Sequence, residues 1–163
     1  MAERRVVVLG VGNVLVGDDG VGVHAVRRLA RARLPEGVQA FDLGTALLDL
    51  PAEADGCDQL IVIDAVRSGG RPGTVYRENL DSLEEGPTGA SLSLHDCGVR
   101  QMLAMARLAG LRLPSAVLVG VEVAEVAPGE GLSAPVRGAL RRVLQAVRHE
   151  IGAASPAAEE VRA

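Results

Sequence analysis

Short runs of purely apolar, mostly β-branched residues alternate along this chain with longer stretches whose apolar positions recur at helical spacing. Val6 to Leu9 is the first run and ends in glycine, the pattern of a strand buried on both faces. From Gly20 to about Leu34, Val23, Val26, Leu29 and Ala30 repeat at helical intervals, while Arg27, Arg28, Arg31 and Arg33 fall largely opposite, which predicts an amphipathic helix. Pro35 and Gly37 stop it, Val38 to Leu43 reads as a second strand, and Thr45 to Leu50 fits a short helix ended by Pro51. Leu60 to Ile63 is another wholly apolar run, closed by Asp64. After a glycine-rich loop, the alternation over Thr74 to Arg77 suggests a strand at a sheet edge, and Glu84 to Ala90 reads as polar loop. Ser93 stands three residues before Asp96, a capping arrangement for a helix with Val99, Met102, Leu103 and Ala106 on its apolar face. Gly110 and Pro114 end that helix, Ala116 to Val123 is the last strong strand, and Val136, Leu140, Val143, Leu144, Val147 and Ile151 stripe a final helix.

Strands alternating with helices imply a mostly parallel twisted sheet, because parallel strands need crossover connections, and helices then cover both faces in a three-layer α/β sandwich. At 163 residues the chain makes one domain, placed at 1–151, with 152–163 as a flexible tail. With one Tyr, one Phe and no Trp, the core is aliphatic and aromatic stacking on exposed bases is excluded. The net charge of -4 and the scattered basic residues argue against nucleic acid as a partner. No apolar stretch approaches the roughly 20 residues that span a bilayer, and the apolar amino end is broken by glycines, Asn13 and two aspartates, unlike an export signal. Cys57 and Cys97 lie far apart without paired-cysteine spacing, so a reducing, cytoplasmic setting is expected.

In doubly wound sheets ligands bind beyond the carboxyl ends of the strands, so residues that follow the apolar runs are the first candidates. GVGNVLVGDDGVG after the first run invites a dinucleotide reading with Asp42 as the ribose-binding acid, but Leu15 stands at the third glycine position and Asp18 and Asp19 put charge where a pyrophosphate belongs. One of these aspartates is expected to cap a helix start and the other to face the crevice. Asp64 ends a buried strand, where an unpaired acid is costly, and His95 begins a helix, where the dipole favours the neutral imidazole that ligates metal. Two carboxylates and an imidazole suit a divalent first-row metal such as nickel, zinc or iron and leave coordination positions open, the arrangement that lets a metal polarise a carbonyl. Each of the three also has a plain capping or structural role as its alternative. Cys97 beside His95 could be a nucleophile, although a small buried residue fits better; His24 and His149 read as surface residues, and Asp49, Asp55 and Asp58 as solvated loop acids.

LGVGNVLVGDDGVGVHAVRRL from Leu9, with DLGTALLDL, LIVIDAV, SLHDCGVRQML, GVEV and GLSAPV, resembles the hydrogenase maturation proteases over nearly the whole chain. The resemblance implies an endopeptidase that trims the carboxyl-terminal extension from a nickel-iron hydrogenase large-subunit precursor after nickel insertion. It places the metal-contacting and catalytic positions at Asp19, Asp64 and His95, with the nickel carried by the precursor, and Gly44 and Thr45 beside the extension. Some relatives carry glutamate at the position of Asp19, and relatives often carry proline at that of Val123. A monomer is expected. A nickel-binding chaperone that inspects the precursor without cutting it would use the same three ligands.

Overall fold

The computed structural model describes residues 4–81, 92–93 and 96–153, apart from the side chains of 92–93 and 96–98. Its strands are β1 (Val6–Val11), β2 (Val38–Gly44), β3 (Gln59–Arg67), β4 (Val75–Asn79), β5 (Leu92–Ser93) and β6 (Ala116–Glu122), and its helices α1 (Val21–Arg31), α2 (Leu50–Ala54), α3 (Asp96–Leu108) and α4 (Ala134–Ala153). One sheet runs in the order β2-β1-β3-β6-β4. Its first four strands are parallel, β4 is antiparallel to β6 at the edge, and β5 adds antiparallel to the end of β3. Because side chains alternate along a strand, the three central strands feed two separate cores. Val6, Val8, Ile61, Ile63 and Val119 pack under α1 and α4, whereas Val7, Leu9, Leu60, Val62 and Leu118 pack under α2 and α3. Helices therefore cover both faces of a mostly parallel sheet.

Several local expectations change. Pro51 does not end a helix. A 3-10 turn at Leu47–Asp49 leads into α2, and Pro51 sits in its first turn, where the amide that proline lacks has no intrahelical partner anyway. Asp64 does not close β3, because β6 continues beside it and supplies backbone partners through the pairs Asp64↔Gly120, Ala65↔Val121 and Val66↔Glu122. On the other side β1 leaves β3 after Gly10↔Ile63, and β5 joins at Val66↔Ser93, so Ser93 is a strand residue. Ala30 is exposed, not part of the apolar face of α1. The final helix passes Ile151 and runs through Ala153. The polar loop at 84–90 and most of the expected tail fall outside the described residues.

Candidate functional site

Glycines let α1 approach the end of β1 and the middle of β3 at backbone contact. A Cβ on Gly22 would stand 2.1 Å from the Ile63 carbonyl oxygen and 2.4 Å from that of Val11; no side chain fits there. Gly12 has φ +134°, and a Cβ on it would stand 1.9 Å from the Asp19 carbonyl oxygen. The glycines that suggest a phosphate cradle thus fold the segment after β1 back on itself and seat α1 against the strand ends. Asp18 and Asp19 fill this 3-10 turn, Gly17–Gly20, and both are buried.

Asp19 accepts the Asn13 backbone N–H at 2.8 Å through Oδ2. Asp64 is fully buried in β3, and its Oδ1 accepts the Ala65 N–H at 2.8 Å. By strand alternation Asp64 shares the sheet face of Leu60, Val62 and Val66, the one covered by α3 through Val99 and Leu103. Gly22 approaches the backbone of Ile63, the residue before Asp64, so the turn that carries Asp19 runs close to the part of β3 that carries Asp64. α3 begins at Asp96, the residue after His95, but His95 itself lies outside the described residues. Among the described residues, no three His, Cys, Asp or Glu side chains group closely enough to hold a metal ion.

Asp18 has a different task from its neighbour. Neither aspartate caps α1, which starts without a side-chain cap. The Asp18 carboxylate instead accepts the backbone N–H groups of Ala124, Glu125 and Ser133 and the Ser133 hydroxyl, at 2.7–3.0 Å. Burial pushes its carboxyl up, but these donors outweigh that and hold it below the ordinary value. Glu122, to which sequence reasoning gave no role, is a second buried acid on the sheet face of Asp64. Its carboxylate accepts the Ser68 and Gly69 N–H groups and the Tyr76 hydroxyl, fixing the loop that leaves β3. Its acidic side chain inside an otherwise apolar run was the available signal.

Beside the glycine turn, a cavity of about 160 Å³ is lined by Asn13, Arg27, Asp42, Gly44 and Thr45 among others, so Gly44 and Thr45 do border the crevice. Asp42 pairs with Arg27 at 2.8 Å in its wall. His149 is exposed, as are Asp49, Asp55 and Asp58. His24, expected at the surface, is half-buried, and its Nε2 is buried without a hydrogen-bond partner among the described residues. Burial lowers its affinity for a proton, and the charges of Arg27 and Arg28 lower it further. Cys97 falls in the first turn of α3, with its side chain outside those described. Val123 is buried at the end of β6.

A family model described as hydrogenase maturation protease matches residues 23–150. The chain belongs to the hydrogenase maturation protease family. It is 38% identical over 145 residues to the hydrogenase expression/formation protein HupM of Azotobacter chroococcum mcd 1, spanning 88% of this chain and 69% of that protein. It is 36% identical over 154 residues to the hydrogenase 2 maturation protease of Escherichia coli strain K12, spanning 88% and 91%. The solved structure of the hydrogenase maturating endopeptidase HybD from E. coli superposes with a TM-score of 0.77 at 32% identity, covering 90% of this chain and 91% of that one. Among the described residues, no helix is long and apolar enough to cross a membrane.

Proposed function

We propose that this maturation protease removes the carboxyl-terminal extension of a nickel-iron hydrogenase large-subunit precursor after nickel insertion, recognising the nickel the precursor carries. The observation that supports this most is the pair of buried acids, Asp19 and Asp64, at one rim of a fold shared with maturation endopeptidases. Carboxylate oxygens and a neutral imidazole suit a divalent first-row ion, so Asp19, Asp64 and His95 complete the coordination of the precursor-held nickel. Nickel docked in this way supplies a Lewis acid beside the scissile carbonyl. Asp19 enters with one oxygen already holding the Asn13 amide, which fixes the direction of the other. Asp64 is likewise oriented by the Ala65 amide. The alternative route has a rim carboxylate, in place of the nickel, activate the attacking water as general base. Gly44 and Thr45 line the neighbouring cavity and position the extension through backbone contacts. The protease works as a cytoplasmic monomer, and neither membrane nor nucleic acid takes part.

The test is to incubate the purified protein with nickel-loaded and nickel-free precursor and follow the mass of the large subunit. The expected result is loss of a terminal peptide from the nickel-loaded form alone, abolished in Asp19→Asn, Asp64→Asn and His95→Ala. Tight binding with unchanged mass would instead make the protein a nickel-binding chaperone and overturn the proteolytic reading.

A further inference from the structure

Asp18 and Asp19 are adjacent, yet the bonds of Asp18 lead to a distant part of the chain. Three backbone amides and one hydroxyl from residues 124–133 converge on its carboxylate, which is 1% exposed. Main-chain bonds flank this clamp: Gly17 N–H to the Gly129 carbonyl, Asp18 N–H to that of Glu125, and Gly129 N–H to that of Leu15. The turn that carries Asp19 is therefore held from outside by the loop between β6 and α4. From inside, it is tied by the Asn13 N–H to the Asp19 carboxylate and by the Asp19 N–H to the Val16 carbonyl.

We infer that Asp18 and Ser133 form a positioning pair for Asp19, which makes the β6–α4 loop part of the apparatus that presents this acid to substrate. The inference rests on the proposed function for its consequence in catalysis. Its geometric content, that the clamp sets the place of Asp19, stands apart from that reading. Groups that orient a functional side chain from behind typically matter 10–100-fold, about as much as the contacts they support. Ser133 adds both an N–H, to Oδ1 at 2.7 Å, and a hydroxyl, to Oδ2 at 2.8 Å, so it bridges the two oxygens. Loss of its hydroxyl alone loosens the clamp without emptying it. Asp18→Asn removes the charge and turns an NH2 toward donors.

The experiment compares Asp18→Asn, Ser133→Ala, Ser133→Thr and a core control, Val147→Ala, whose side chain is buried in α4 several turns beyond Ser133. Each is assayed on nickel-loaded precursor well below its unfolding temperature, and hydrogen exchange of the Asn13 amide, the donor to Asp19, is followed by NMR. For Ser133→Ala we expect kcat/KM to fall about 10-fold, mainly through KM, and for Asp18→Asn about 100-fold, with Asn13 exchanging about 10-fold faster in both. Ser133→Thr keeps the hydroxyl and stays near wild type. Val147→Ala is destabilised but keeps its activity and its Asn13 protection. Unchanged Asn13 protection in folded Ser133→Ala and Asp18→Asn overturns the inference, as does an equal loss in the Val147→Ala control. If wild type leaves the precursor uncut, the proposed function fails while the amide measurement still decides the clamp.

Discussion

At the scale of single residues, the buried polar groups divide by what their atoms are committed to. Asp18 and Glu122 gather backbone amides and hydroxyls from other segments, so they act as internal fasteners, while Asp19, in the turn after β1, and Asp64, within β3, each accept an amide from their own stretch of chain. Nothing in the dipeptide Asp18-Asp19 separates these roles, because the partners that separate them lie more than a hundred residues along the chain. Cys57 shows burial acting alone as the main force: its thiol is pushed up to about 11 by desolvation, against the pull of the nearby Arg5 charge. Iodoacetamide at about pH 8 should therefore leave Cys57 unmodified in the folded protein and label it only in denaturant, as read by peptide mass mapping. His24 carries a pH signature. Its proton affinity is lowered on folding, so the unfolded chain binds the extra proton first, and stability is lost as pH falls from the ordinary value of 6.5 toward the folded one. Thermal unfolding between about pH 7.5 and 5 should thus drop more steeply for wild type than for His24→Gln.

At the scale of elements, the apolar runs announced β1, β3 and β6, since a strand covered on both faces must be hydrophobic throughout. The ends of the elements were harder to read. Asp64 looked like a terminator because charge is rare in such strands, but β6 provides backbone partners as far as Glu122 and the strand continues. Pro51 looked like a stop, although proline serves equally well in a first turn. The glycine pattern was visible and its purpose was not, since close helix-to-strand packing and phosphate binding ask for the same residue. Gly22→Ala tests the packing role: with carbonyl oxygens 2.1 and 2.4 Å from the new methyl, α1 must lift off the strands. A loss of about 3 kcal/mol in denaturant melts is expected, along with impaired processing of precursor.

Over the whole molecule, the rim is assembled from segments that sequence order keeps apart. The turn after β1, the segment of β3 around Asp64 and the loop after β6 meet towards one end of the sheet because parallel strands run their carboxyl ends the same way. That convergence was legible from the alternation of strands and helices, and it directed attention to Asp19 and Asp64; the fastening by Glu122 was not, because it depends on where a loop returns. Glu122→Ala, which strips the acceptor from two amides and the Tyr76 hydroxyl, should cost about 2–3 kcal/mol, measurable as a lower denaturation midpoint.

The clamp on Asp18 also sets an order in time. Its donors belong to residues 124–133, so on the ribosome the turn bearing Asp19 is translated more than a hundred residues before the amides that fasten it. A nascent chain halted after β3 would already hold both rim acids in sequence and still lack the bonds that aim one of them. If the clamp places Asp19 as inferred, that acid gains its fixed position only once residues 124–133 have emerged, just ahead of α4.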